Sequence, residues 1–197
     1  MAKHYRTLLI NDKSWADRFI GAWRDTGPNE LAFDIHSVGD LVDTLVDLLN
    51  SDTTFDAAVF STHGSSGQIS LGKEGLSASY LYNMLMFDRN DYSRLFRSNG
   101  RILFGGCNVA EGDKGWKFLL AAARCFLASG GEAIGWTSAG FQAPFSLRQG
   151  HIVHYWGDAR MVRNMGGNSF RFYENWKLIE SGGVPQAPQG LAGGFAP

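Results

Sequence analysis

The stretch FDAAVFSTHGSSGQISLG, residues 55–72, decides the fold. Its first part, residues 55–62, is apolar nearly throughout, which is typical of a strand that lies inside a parallel sheet and is covered on both faces. The strand is followed by the pair His63-Gly64 and by a loop rich in glycine and serine. A titratable imidazole therefore stands where a buried strand ends and a loop begins.

Strand-like and helix-like segments alternate on both sides of this stretch. Apolar runs predict strands, and amphipathic repeats predict helices. The predicted strands are 5–10, 31–38, 55–62, 100–107, 131–138 and 150–156, with a small β excursion at 67–72, and the predicted helices are 14–24, 39–50, 76–87 and 112–127. This alternation indicates an α/β domain with a mostly parallel central sheet of about six strands, flanked by helices on both faces.

Composition and charge narrow the classes of function. The chain has 197 residues, of which 44% are apolar and 19% charged, as expected for one soluble globular domain. We place that domain at residues 1–180 and read the Gly/Pro-rich residues 181–197 as a flexible tail. The formal net charge is −1 and Lys and Arg form no run, which argues against nucleic acid as a partner.

Targeting and metal signals are missing from the sequence. No apolar stretch reaches the roughly 18 residues of a membrane span, and the first residues lack an apolar core of signal-peptide length. Two cysteines are too few for a disulfide framework and fit a reducing compartment, so we expect a cytoplasmic protein. Without CxxC or HxxxH spacing we expect no metal site, and we expect no cofactor.

A second predicted strand also ends in glycine and a side chain capable of catalysis. In RILFGGC, residues 101–107, an apolar run is followed by Gly105-Gly106 and then by Cys107. If the two strands are parallel neighbours, Cys107 and His63 lie at the same edge of the sheet, where functional groups of such sheets gather. A nearby imidazolium stabilises a thiolate, so this pair of side chains suits nucleophilic catalysis.

Each of these residues also has a structural interpretation. A single histidine at a strand end is more often structural, and a single cysteine is more often a small buried residue. The joint placement of both favours catalysis. We interpret the remaining cysteine and three other histidines as structural: Cys125, His36, His151 and His154.

The quoted motifs identify a family resemblance. STHGSSGQISLG followed by ILFGGCNVAEG resembles the caspase-like cysteine peptidases (clan CD), nearest to bacterial CHAT-type domains and to a related uncharacterised domain of large bacterial surface proteins. The resemblance covers residues 55–138. It implies a caspase-like fold, with His63 as general acid/base and Cys107 as nucleophile. The backbone N–H groups of Gly64 and Cys107 would form the oxyanion hole.

The resemblance also implies a charged pocket for the residue before the scissile bond. No charged residue stands beside Cys107, so the charge must come from elsewhere. The acidic candidates, which would select a basic substrate residue, are Glu111, Asp113 and Asp158. The basic candidates, which would select an acidic substrate residue, are Arg148 and Arg160. Asp113 also fits a first-turn helix acid. Trp136 falls where the resemblance places the substrate cleft.

The leading hypothesis is a bacterial cysteine endopeptidase that acts on a protein or peptide substrate and is switched on by a regulatory partner. A second is a catalytically silent caspase-like module that binds peptides or partners. A third is acyl transfer or amide hydrolysis on a small molecule, which needs a closed pocket. Thiol reactivity separates the first two, and cleft shape separates the first from the third.

Overall fold

The computed structural model describes residues 3–13, 28–138 and 158–183. Its strands are β1 (Lys3–Asp12), β2 (Glu30–Ile35), β3 (Thr53–Ser61), β4 (Gly64–Ser65), β5 (Gln68–Leu71), β6 (Glu74–Ser77), β7 (Phe96–Phe104), β8 (Glu132–Trp136), β9 (Ala159–Gly166), β10 (Ser169–Glu174) and β11 (Lys177–Gly183). Its helices are α1 (Val38–Asn50), α2 (Ala78–Phe87) and α3 (Gly112–Phe126), with a 3₁₀ turn at Tyr92–Leu95. No helix in these ranges is long and apolar enough to cross a membrane.

In the described part of the chain, eight strands form the main sheet, in the order β11-β10-β9-β8-β7-β3-β1-β2. The strands β2, β1, β3, β7 and β8 are parallel. The last three strands continue the sheet as an antiparallel extension beside β8. The predicted α/β class with a mostly parallel sheet flanked by helices is confirmed. About six strands were expected; five of them are present, the sixth lies outside the described residues, and residues 159–183 add three.

Several element boundaries differ from the sequence prediction. The helix predicted at 76–87 begins at Ala78, because Ser77 caps it by accepting a hydrogen bond from the Tyr80 N–H. The last strand reaches Gly183, three residues into the segment predicted as a tail. The helix predicted at 14–24 and the strand predicted at 150–156 lie outside the described residues, as do residues 184–197.

Two hydrophobic clusters lie on opposite faces of the sheet. Alternate strand residues such as Leu8, Phe60 and Phe104 belong to the larger cluster, together with the buried residues of all three described helices. The smaller cluster contains the residues between them: Leu9, Val59, Leu103, Ile134, Trp136, Ala159 and Met161. The central strands are therefore buried on both faces, as their continuous apolar sequence predicts.

Candidate active site

The strands that precede His63 and Cys107 are hydrogen-bonded neighbours. β3 and β7 run parallel, with Phe60 opposite Phe104. The Gly105 N–H donates to the Phe60 carbonyl at 2.8 Å, so the pairing continues past the end of β7. His63 and Cys107 each stand three residues beyond the last facing pair. The predicted adjacency of the two strand ends is confirmed.

The two loops touch through their glycines. A Cβ built on Gly64 would lie 2.4 Å from the Val109 Cγ2 and 2.9 Å from the Cys107 carbonyl oxygen. A Cβ built on Gly106 would lie 2.8 Å from the Gly64 Cα. Real Cβ atoms do not approach so closely, so glycine is required at both positions for the loops to meet. This contact brings the backbones next to His63 and next to Cys107 together.

A small antiparallel sheet of β4, β5 and β6 holds the His63 segment. The Ser70 N–H donates to the His63 carbonyl at 2.8 Å, and Gly64 faces Ile69 in the next pair. Hydrogen-bonded and non-hydrogen-bonded pairs alternate along an antiparallel ladder. Gly64 is therefore in a non-hydrogen-bonded pair, and its N–H points away from β5.

The same small sheet is fastened to the loop that carries Cys107. The Gly67 N–H donates to the Val109 carbonyl at 3.0 Å, and the Ser66 hydroxyl donates to the Glu111 carbonyl at 2.8 Å. Gly67 has a φ of +78°, and a Cβ there would lie 2.6 Å from the Lys114 Cβ. The loop after β3 is thus packed tightly against the start of α3.

Cys107 begins a turn that is anchored to the end of β8. The next residue, Asn108, has a φ of 57°, a conformation that asparagine tolerates better than most residues. The Asn108 N–H donates to the Ser138 carbonyl at 3.1 Å, and the Ala110 N–H donates to the Trp136 carbonyl at 2.8 Å. Cys107 is partly exposed and His63 is exposed, so reagents and substrates can reach both side chains.

The second thiol has a different environment. Cys125 is 3% exposed in α3, and burial, followed by the nearby charge of Asp88, raises the pKa of its thiol to about 12. A buried thiol that stays protonated is a poor nucleophile. The two cysteines therefore differ in access to solvent.

The predicted substrate-binding residues lie in different environments, some exposed and one buried. Glu111 and Asp113 are exposed at the start of α3, close to the Cys107 turn. Trp136 is 3% exposed and packs in the smaller hydrophobic cluster, so its side chain is a core residue in this fold and does not line an open surface. Asp158 is exposed and lies beside the end of β8, where its carbonyl accepts from the Thr137 N–H at 2.9 Å.

The two arginines considered for the pocket also differ in what the structure shows of them. Arg148 lies outside the described residues, with His151 and His154. The guanidinium of Arg160 instead contacts the carbonyls of the Cys107 turn, a role that the sequence did not indicate. Among the residues described, no group of three or more His, Cys, Asp or Glu side chains is arranged to hold a metal ion.

A protein-family model described as a domain of unknown function (DUF4347) matches residues 23–139. The match covers more than half of the chain and includes both strand ends. The chain belongs to the DUF4347 family. The comparison of this DUF4347 chain with curated proteins found no match.

A search of solved structures finds a secreted C11 cysteine protease from Bacteroides thetaiotaomicron, determined in complex with an irreversible peptide inhibitor. Its sequence is 10% identical to the DUF4347 chain and the TM-score is 0.39. The similarity covers 83% of this chain and 66% of that protease, slightly less than two thirds of its length. This is a distant likeness.

Proposed function

We propose that this protein is a cysteine endopeptidase whose catalytic dyad is Cys107 and His63. The observation that carries the proposal is the contact between the two loops at matching ends of the neighbouring strands β3 and β7. A thiol and an imidazole held on touching loops, both open to solvent, are the two groups that acyl-enzyme chemistry needs.

The reaction has two stages. The imidazole of His63 takes the thiol proton of Cys107, and the thiolate attacks the carbonyl carbon of the scissile peptide bond. The carbon–nitrogen bond breaks as the imidazolium returns the proton to the leaving amine, and the acyl group stays on sulfur as a thioester. Water, deprotonated by His63, then hydrolyses the thioester and restores the thiol.

The developing oxyanion needs hydrogen-bond donors at fixed positions. The Gly64 N–H points away from β5, on the side of the hairpin that is free of strand pairing. The loop contact through Gly64 and Gly106 sets this N–H beside the segment that carries Cys107. We propose the N–H groups of Gly64 and Cys107 as the two donors.

The charges near the dyad favour a basic residue before the scissile bond. Glu111 and Asp113 at the start of α3 and Asp158 beside the end of β8 are exposed and outnumber the exposed Lys114 of α3, while the Arg160 guanidinium is engaged by the turn and by Glu174. An acidic rim attracts a basic peptide side chain. Substrates with Lys or Arg before the cut are therefore the first to assay.

A peptide library with each residue type before a fluorogenic leaving group tests the proposal. The wild-type protein should release the fluorophore, and Cys107→Ala and His63→Ala should lose turnover by at least about 10³-fold. Cys125→Ala and His36→Ala, which change a buried cysteine and an exposed histidine, are the matched controls and should retain turnover.

Two results would contradict the proposal. One is turnover that survives Cys107→Ala, which would assign the activity to another protein or another residue. The other is a wild-type protein that neither cleaves any member of the library nor forms a covalent adduct at Cys107 with a peptide-like thiol probe. The second result would favour the catalytically silent binding module.

A further inference from the structure

Arg160 on β9 makes an unusual set of contacts. Its Nη1 donates to the carbonyls of Ala110 and Gly112, each at 3.0 Å. Its Nε donates to the Glu174 carboxylate on β10 at 2.8 Å. Its Cζ lies 4.6 Å from the centre of the Trp116 ring on α3. One side chain therefore joins the Cys107 turn, the first part of α3 and the antiparallel extension of the sheet.

These contacts complete the support of the turn after Cys107. The N–H groups of Asn108 and Ala110 are bound by carbonyls at the end of β8. The carbonyls of Ala110 and Gly112 are bound by Arg160. The turn is held both through its donors and through its acceptors, so its conformation depends on both sets of hydrogen bonds.

The environment of Arg160 makes these bonds persistent. Its side chain is 18% exposed, and the Glu174 carboxylate that pairs with it is 39% exposed. Trp116, which stacks on the guanidinium, packs in turn against Phe172 of β10 with ring centres 5.6 Å apart. A planar guanidinium can donate in two directions and stack at the same time, which a lysine ammonium cannot do.

We propose that Arg160 is a positioning residue for the nucleophile: it fixes the turn that carries Cys107 and so sets the distance of the thiol from His63 and from the oxyanion donors. The inference rests on the proposed function, since the turn matters for catalysis only if Cys107 is the nucleophile. On this proposal the Arg160 guanidinium is engaged within the protein and does not serve as the arginine of an acid-selecting pocket.

The test compares Arg160→Ala and Arg160→Lys with the wild-type protein. A misplacement of about 1 Å can lower a catalysed rate on the order of 100-fold. We expect Arg160→Ala to lower kcat by about 10-fold to 100-fold because the thiol is displaced, and to raise KM by a smaller factor, because Glu111 lies between the two carbonyls that Arg160 binds. We expect Arg160→Lys to fall between the two, since it keeps the charge but not both carbonyl bonds.

Arg163→Ala is the matched control. Arg163 lies on the same strand, pairs with the Glu132 carboxylate and stacks on Tyr173, but neither contact belongs to the Cys107 turn. This variant should keep the wild-type kcat even if it lowers the unfolding temperature. Equal losses of kcat in Arg160→Ala and Arg163→Ala would overturn the inference and assign the loss to general destabilisation.

Amide hydrogen exchange separates this inference from the proposed function. Residues 107–112 should exchange faster in Arg160→Ala than in the wild-type protein, and at the wild-type rate in Arg163→Ala. If the wild-type protein has no activity, the proposed function fails, and unchanged exchange in residues 107–112 overturns the Arg160 assignment as well. An active wild type with an unaffected kcat in Arg160→Ala overturns only the Arg160 assignment. If Arg160→Ala does not fold, Arg160→Lys carries the same comparison.

Discussion

Gly64→Ala is the substitution that tests the loop contact most severely. The new Cβ would stand 2.4 Å from the Val109 Cγ2, 2.9 Å from the Cys107 carbonyl oxygen and 2.9 Å from the Gly106 Cα. Because carbon atoms pack at about 3.5–4.0 Å, the Val109 methyl group must move by about 1 Å. Two of the three contacts are with backbone atoms, which cannot rotate away, so the loops themselves must separate.

The expected magnitude follows from this overlap. Overpacking of this kind lowers the free energy of unfolding by about 1–3 kcal/mol. For a domain of this size, each kcal/mol lowers the Tm by about 2–4 °C, so a decrease of about 2–12 °C is expected. A shift of about 1 Å between the dyad loops should also lower kcat/KM on the order of 100-fold.

The assay combines thermal unfolding with turnover of a peptide substrate. Gly39→Ala in α1 is the control, because its Cβ would meet only the Ser37 Oγ, at 3.7 Å. This variant should leave the activity and the Tm unchanged or raise the Tm slightly. Val109→Ala added to Gly64→Ala removes the closest overlap, so the double variant should lose less than the sum of the single losses. Wild-type activity and Tm in Gly64→Ala would refute the reasoning that the loops meet at this glycine.

Two further predictions concern stability. Burial raises the pKa of the Cys125 thiol from 9.0 to about 12, so folding favours its protonated form. The resulting contribution to the free energy of unfolding is fully present below about pH 9 and is lost as the pH rises through 12. Cys125→Ala should flatten the fall in stability between those pH values in chemical unfolding, and an unchanged slope would contradict the assignment. Glu132, whose side chain is 6% exposed, pairs with Arg101 and Arg163. Glu132→Gln should lower the free energy of unfolding by about 1–3 kcal/mol, measured by urea titration, and Arg101→Gln, which leaves the Arg163 pair intact, should lower it less.

The parallel half of the fold, and the adjacency of the strand ends that precede His63 and Cys107, could be predicted from the sequence. Buried parallel strands are continuous apolar runs, so residues 55–62 and 100–107 were recognisable, and the carboxyl ends of neighbouring parallel strands must share an edge. The sequence did not predict on which face of the sheet Trp136 lies, because an aromatic residue at a strand end fits a core or a cleft equally well. Its place in the alternation of β8 puts it in the smaller cluster.

The antiparallel extension and the role of Arg160 could not be predicted. The strand β9, with the sequence ARMVRNMG, mixes arginines with apolar residues and resembles a surface segment. Its arginines find partners 31 and 50 residues away in the chain, Glu132 and the Ala110 carbonyl. Contacts over such separations follow from the pairing of β8 with β9 and leave no local pattern in the sequence.

The alkylation rate of Cys107 as a function of pH tests the central claim most directly. The measurement uses iodoacetamide between pH 5 and pH 9, in a Cys125→Ala background, with mass spectrometry to locate the adduct. The dyad predicts that Cys107 is alkylated faster in the wild-type protein than in His63→Ala at each pH, because the imidazole of His63 takes the thiol proton. A rate that follows an ordinary thiol and does not change in His63→Ala would contradict the dyad.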